Sequence, residues 1–147
     1  MSTVTDLHEQ DFYAWTQEQA GKLRAGHAAA GLDWERLAEE IEDMGSSKIT
    51  QIENRLGQLL AHLLKWTRYP EGRCNSWAGT VMEQREKINR LIRKNPSVKL
   101  LLPEAFDNAY RDARLIAFKD TGLLPGNWPS ACPWSLEQVL DDGFWPE

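Results

Sequence analysis

Cysteine is scarce. Cys74 and Cys132 are the two thiols in 147 residues, and they stand far apart without C-x-x-C spacing, which supports neither a disulfide framework nor a zinc site. Long apolar runs are missing, and nothing approaches the roughly 18 residues of a membrane span. The start, M-S-T-V-T-D-L-H-E-Q-D, has neither the basic beginning nor the apolar centre of a signal peptide, so a cytoplasmic protein with no membrane partner is expected. A positive excess is also absent. The net charge is −5 and the pI about 5.3, which argues against general nucleic-acid binding. Phosphate-binding glycine loops, G-x-S-x-G and metal-helix motifs do not occur. No cofactor and no metal is therefore expected. Strand alternation and internal repeats are missing too, so the expected class is all-α.

What remains is ordinary in bulk and unusual in detail. With 41% hydrophobic and 27% charged residues, the chain suits one globular domain spanning residues 1–147, with residues 1–9 loosely held. Seven tryptophans are a heavy load. Each offers a large apolar area and one N–H in need of an acceptor, which favours core edges and interfaces. The spacing predicts a compact bundle of about five helices. The first runs from Asp11 to Arg24. Asp33 caps a second, whose face is Trp34, Leu37, Ala38, Ile41 and Met44, and Gly45-Ser46-Ser47 either ends it, the favoured reading, or bends a single long helix. A central leucine-rich helix continues to Arg68 and stops at Tyr69-Pro70-Glu71-Gly72. The fourth helix, capped by Asn75 or Ser76, ends before Pro96. The fifth begins near Pro103 and ends with Gly122 as its cap. Residues 123–134 should form an ordered proline- and tryptophan-rich loop. Ser135-Leu136-Glu137-Gln138 has the capping-box pattern of a short last helix, and Phe144-Trp145-Pro146 should dock as an anchor.

One polar position breaks the pattern. On the fourth helix Trp77, Val81, Ile88, Leu91 and Ile92 define an apolar stripe at about 100° per residue, and Arg85 falls inside it. A buried guanidinium keeps its proton and costs several kcal/mol unless acceptors satisfy it. Residues 33–43 carry a net charge of −5 and residues 68–99 a net charge of +5. Glu40 or Glu39 is thus the expected partner of Arg85, in a structural ion pair that fixes helix register. Snorkelling of the side chain is the alternative.

His62 sits at the edge of the leucine arc, with no carboxylate or second histidine at i±3 or i±4. A boundary histidine bonded to another helix is expected rather than a metal ligand. Tyr110, on the inward face of the fifth helix with Phe106, Ala113 and Ala117, needs a buried acceptor for its hydroxyl. Asp120 is placed to bond the start of the aromatic loop. Glu39, Glu40, His62, Arg85 and Tyr110 together form the candidate polar pocket. Trp34, Trp66, Trp77, Trp128 and Trp134 form the candidate aromatic interaction surface.

The words L-D-W-E-R-L-A-E-E-I-E-D-M-G at 32–45, L-L-A-H-L-L-K-W at 59–66, S-W at 76–77, Q-R-E-K-I at 84–88, N-P-S-V at 95–98 and C-P-W-S-L-E-Q-V-L at 132–140 resemble a bacterial family. It is the family called domain of unknown function 29 (DUF29), and the similarity spans about Asp11 to Pro146. Asn95 departs from the serine usual before the proline. The resemblance implies a compact helical protein and no established activity. Asp33, Trp34, Glu39, Glu40, His62, Trp66, Trp77 and Arg85 fall on its motifs without an agreed role.

The sequence thus favours a protein-interaction domain over an enzyme, with an unknown protein or a second copy as partner. The rival is a hydrolase with Glu39, Glu40, His62 and Arg85 around one pocket. Nucleic-acid contact through the basic 68–99 segment is the weakest reading.

Overall fold

The computed structural model describes residues 4–26 and 33–147. The connection between the first two predicted helices therefore lies almost wholly outside them. These residues form α1 (Val4–Gln10), α2 (Phe12–Ala25), α3 (Trp34–Arg68), α4 (Asn75–Lys94), α5 (Leu102–Thr121) and α6 (Leu136–Leu140), with 3-10 turns at Pro70–Gly72, Pro96–Leu101 and Pro125–Asn127. Among the described residues there is no strand, and the class is all-α. Among the described residues no helix is long and apolar enough to cross a membrane.

The chain divides into two compact units, Met1–Gln51 with Leu91–Leu100, and Ile52–Arg90 with Leu101–Glu147. In the first, α1 covers Val4–Gln10, and with it the described part of the segment expected to be loosely held. Its His8 packs edge-on against Phe12 and Trp15, with centroids 5.3 and 4.6 Å away, which gives these residues a packed neighbour. Asp11 caps α2 by accepting from Ala14 N at 2.9 Å. The same carboxylate accepts from Ser97 N at 2.6 Å and Ser97 Oγ at 2.9 Å. Buried Asn95 accepts from Tyr13 N and donates to Leu91 O, each at 2.9 Å. Free N–H groups in the first turn of α2 are thereby satisfied. Asn95 is thus a structural latch.

Gly45-Ser46-Ser47 does not end a helix; α3 runs unbroken for 35 residues. Gly45 is buried because α2 crosses there. A Cβ on it would overlap Thr16 Oγ1 and come within 3.1 Å of Thr16 Cβ and 3.2 Å of Tyr13 Cδ2. The glycine serves close approach rather than chain reversal. Asp33 caps α3 as expected, accepting from Arg36 N at 3.1 Å.

In the second unit the leucine arc of α3 supplies Leu56, Leu59, Leu60, Leu63 and Leu64. All are buried with Val81 and Ile88 of α4, the alanines 105, 109, 113 and 117 of α5, and Val139 of α6. Each leucine contributes roughly 1.5–3 kcal/mol, and the alanines allow close helix approach. Gly122 caps α5 at φ 77°, the left-handed conformation that glycine adopts without strain. Both bonds of the Ser135–Gln138 capping box form. The loop before α6 is ordered by three tethers. Tyr110 Oη donates to Pro129 O at 2.5 Å, Arg114 Nη2 to Pro125 O at 2.8 Å, and Trp128 Nε1 to Leu123 O at 3.3 Å.

Candidate functional site

Arg85 organises the C-terminal segment of the second unit. It is 0% exposed, as its place on the apolar stripe predicts, but its partners differ from those expected. Nε donates to Val139 O at 2.8 Å and Nη2 to Phe144 O at 2.6 Å. The expected ion pair with Glu39 or Glu40 is not formed among the described residues. Both glutamates are exposed on the part of α3 that belongs to the first unit. Backbone carbonyls of α6 and of the tail fill the role, and carbonyl dipoles carry no signature in sequence. The Arg85 guanidinium also faces the Trp145 ring at 5.5 Å, within cation–π range. Burial holds its pKa below the usual arginine range, with Asp142 and Asp141 pulling the other way. Nη1 is buried without a hydrogen-bond partner.

Above this anchor lies an aromatic cluster. Trp145 packs on Trp66 with centroids 4.8 Å apart and planes at 45°. Arg73 covers Trp66 at 5.0 Å and donates to its carbonyl at 2.7 Å. Trp134 meets Phe144 edge-on at 6.2 Å. Trp134, Phe144, Trp145, Pro129 and Pro133 then wall a groove of about 550 Å³, with Arg68 of α3 and Glu147 also lining it.

A second cation is buried nearby in sequence. Lys65 is 3% exposed; its Nζ bonds Asp120 Oδ2 at 2.8 Å and faces the Trp77 ring at 4.8 Å. Asp120 thus serves a lysine rather than the loop start. Lys65 went unnoticed in the sequence, although Gly57 and Ala61 precede it at i−8 and i−4. That stripe of small residues marks a second packed face.

The candidate polar pocket is placed as follows. His62 is half-buried and its Nδ1 bonds Gln58 O of its own helix at 2.8 Å, not another helix. Burial holds its pKa below the ordinary histidine value. Tyr110 gives its hydroxyl to Pro129, and burial raises its pKa. Neither the groove above nor a smaller one of about 390 Å³ in the first unit takes any of the five pocket residues as a wall. Among the five tryptophans, Trp134 lines the larger groove. Trp66 stands behind Trp145, and Trp77 covers Lys65. Trp34 is half-buried in the first unit. Trp128, at 3% exposure, is core rather than surface. Arg68, Phe144 and Trp145 belong to the groove and were not among the expected surface residues.

The sequence signature described as "Domain of unknown function DUF29" matches residues 7–145. A crystal structure of an alpha-helical protein of unknown function from Rhodospirillum rubrum is similar in fold, with a TM-score of 0.70 and 25% identity over 98% of this chain and 92% of that one. No curated protein matches.

Proposed function

We propose that this chain, which belongs to the DUF29 family, whose function is unknown, works as a cytoplasmic bacterial protein-interaction domain. In this reading the aromatic groove of the second unit receives an extended, proline-containing segment of a partner protein. The observation that carries it is the wall of Trp134, Phe144 and Trp145 with Pro129 and Pro133 around about 550 Å³. Grooves lined by aromatic rings accept the polyproline II conformation, which is extended before binding and so loses little entropy. That conformation leaves its carbonyls unpaired. Arg68, exposed at the groove and without an ion-pair partner among the described residues, offers donors to them.

Selection from a displayed peptide library, followed by calorimetric titration, tests the reading. The expected result is enrichment of proline-containing peptides, with affinity lowered at least about tenfold by Trp134→Ala, a factor of ten being 1.4 kcal/mol. Circular dichroism confirms that the variant is folded. Enriched peptides without proline, or binding indifferent to Trp134→Ala, would overturn it.

A further inference from the structure

The first unit carries a separate feature, independent of the aromatic groove. On the N-terminal half of α3, Leu37 is 41% exposed and Met44 is 50% exposed. They stand two turns apart on one flank of the helix. Glu40 lies between them, exposed and without an ion-pair partner among the described residues. Of the neighbouring acids, Glu35 and Glu42 pair with Arg24 and Asp33 with Arg36, while Glu39 and Asp43 are exposed on other flanks of the helix. One turn beyond Met44 comes Lys48, whose Nζ rests 5.5 Å from the Phe12 ring and has no carboxylate partner among the described residues. Lys48 also walls the smaller groove beside Leu91 and Lys94.

Within one copy Glu40 and Lys48 cannot meet. Eight residues of helix separate them by about 12 Å along the axis. In an antiparallel pair of α3 helices with its two-fold axis at Met44, they meet twice. Each position four residues before Met44 then faces the position four residues after it in the other copy. Met44 packs on its own equivalent, and both Glu40–Lys48 pairs close. A parallel pairing in register would set Glu40 against Glu40 and Lys48 against Lys48, which is repulsive. Charge thus selects orientation and register, as it does between paired helices generally. A two-fold contact also closes on itself and forms no open chain. Lys94 lines the same adjoining groove as Lys48 and adds a second cation there.

We propose that the partner of this surface is a second copy of the chain, joined through antiparallel α3 helices centred on Met44. The contact is small and rests on exposed charge, so it is weak and salt-sensitive. Two arms test it. In a Cys74→Ser background, Met44→Cys should form a disulfide-linked dimer under mild oxidation several times faster than Thr50→Cys, on another flank of the same helix. A disulfide needs its Cα atoms within about 7 Å. In sedimentation equilibrium, Glu40→Lys and Lys48→Glu should each weaken association, and the double variant should restore it. Equal crosslinking at residues 44 and 50, or a double variant no better than either single one, would overturn the proposal. Helicity measured alongside separates lost contact from lost fold.

Discussion

Arg85 offers the sharpest test of how this protein neutralises a buried charge. Its guanidinium has two carbonyl partners at 2.8 and 2.6 Å, one aromatic face, and no carboxylate in contact. Replacing it with methionine removes the charge and keeps much of the volume. The loss is two charge-assisted hydrogen bonds, about 1.5–3 kcal/mol each. The gain is relief from desolvating a cation, itself several kcal/mol. The two nearly offset, so Arg85→Met should destabilise by only about 1–3 kcal/mol. Arg85→Lys keeps the cost and loses the fork, since one ammonium cannot span carbonyls from residues 139 and 144. It should therefore be the worse variant, by about 1–2 kcal/mol. Urea unfolding, read as midpoint and slope, measures both. If charge against a carboxylate were the main interaction, lysine would be the milder replacement. A lysine variant more stable than the methionine variant would refute the reasoning.

Further outcomes are expected. Gly45→Ala should destabilise by about 1–3 kcal/mol despite alanine's better helix propensity, because overpacking outweighs it, and Thr16→Ala should recover part of the loss in thermal unfolding. Asp120→Asn should cost about 1–3 kcal/mol by leaving Lys65 with only the Trp77 face, while Lys65→Met should cost less in the same assay. His62 has a folded pKa depressed by burial, so the unfolded chain binds the extra proton first. Its contribution should be full above the unfolded value near 6.5 and decline as pH falls from there toward the folded value; His62→Gln should flatten that slope in denaturation across pH 5–8. Because α3 and α4 each supply residues to both units, one cooperative unfolding transition is expected for residues 1–147. Two resolved calorimetric transitions would count against a single domain.

Local chemistry was legible in the sequence, and tertiary approach was not. Asp33, Gly122 and the Ser135–Gln138 box all act on backbone within a few residues, so their cap roles follow from type and spacing. Gly45 misled because a glycine beside two serines reads as a break, whereas its meaning lies in Thr16 across the interface. Arg85 announced itself through helical periodicity, but its partner did not. The charge balance between residues 33–43 and 68–99 pointed to a glutamate, and the acceptors turned out to be main-chain oxygens, which every residue owns. Trp128 and Trp134 show the same limit. Both sit in one loop rich in proline, and only the fold decides that the first is buried and the second lines a groove.

Phe144 couples these observations. Its carbonyl accepts from Arg85 while its ring walls the groove, and the adjacent Trp145 ring both faces the guanidinium and lines the same groove. The segment that neutralises the buried cation is therefore the segment that shapes the surface. Detaching it would expose a charge to water and remove two aromatic walls, Phe144 and Trp145, at once, so tail docking and groove formation are one equilibrium. An arginine suits that task better than an acid–base pair would. Carbonyl dipoles do not titrate, so the two hydrogen bonds of the anchor need no ionised carboxylate, and Asp142 and Asp141 act on Arg85 only through their charge. Position 85 thus fixes the tail by geometry, through a fork that only residues 139 and 144 in their native spacing can satisfy.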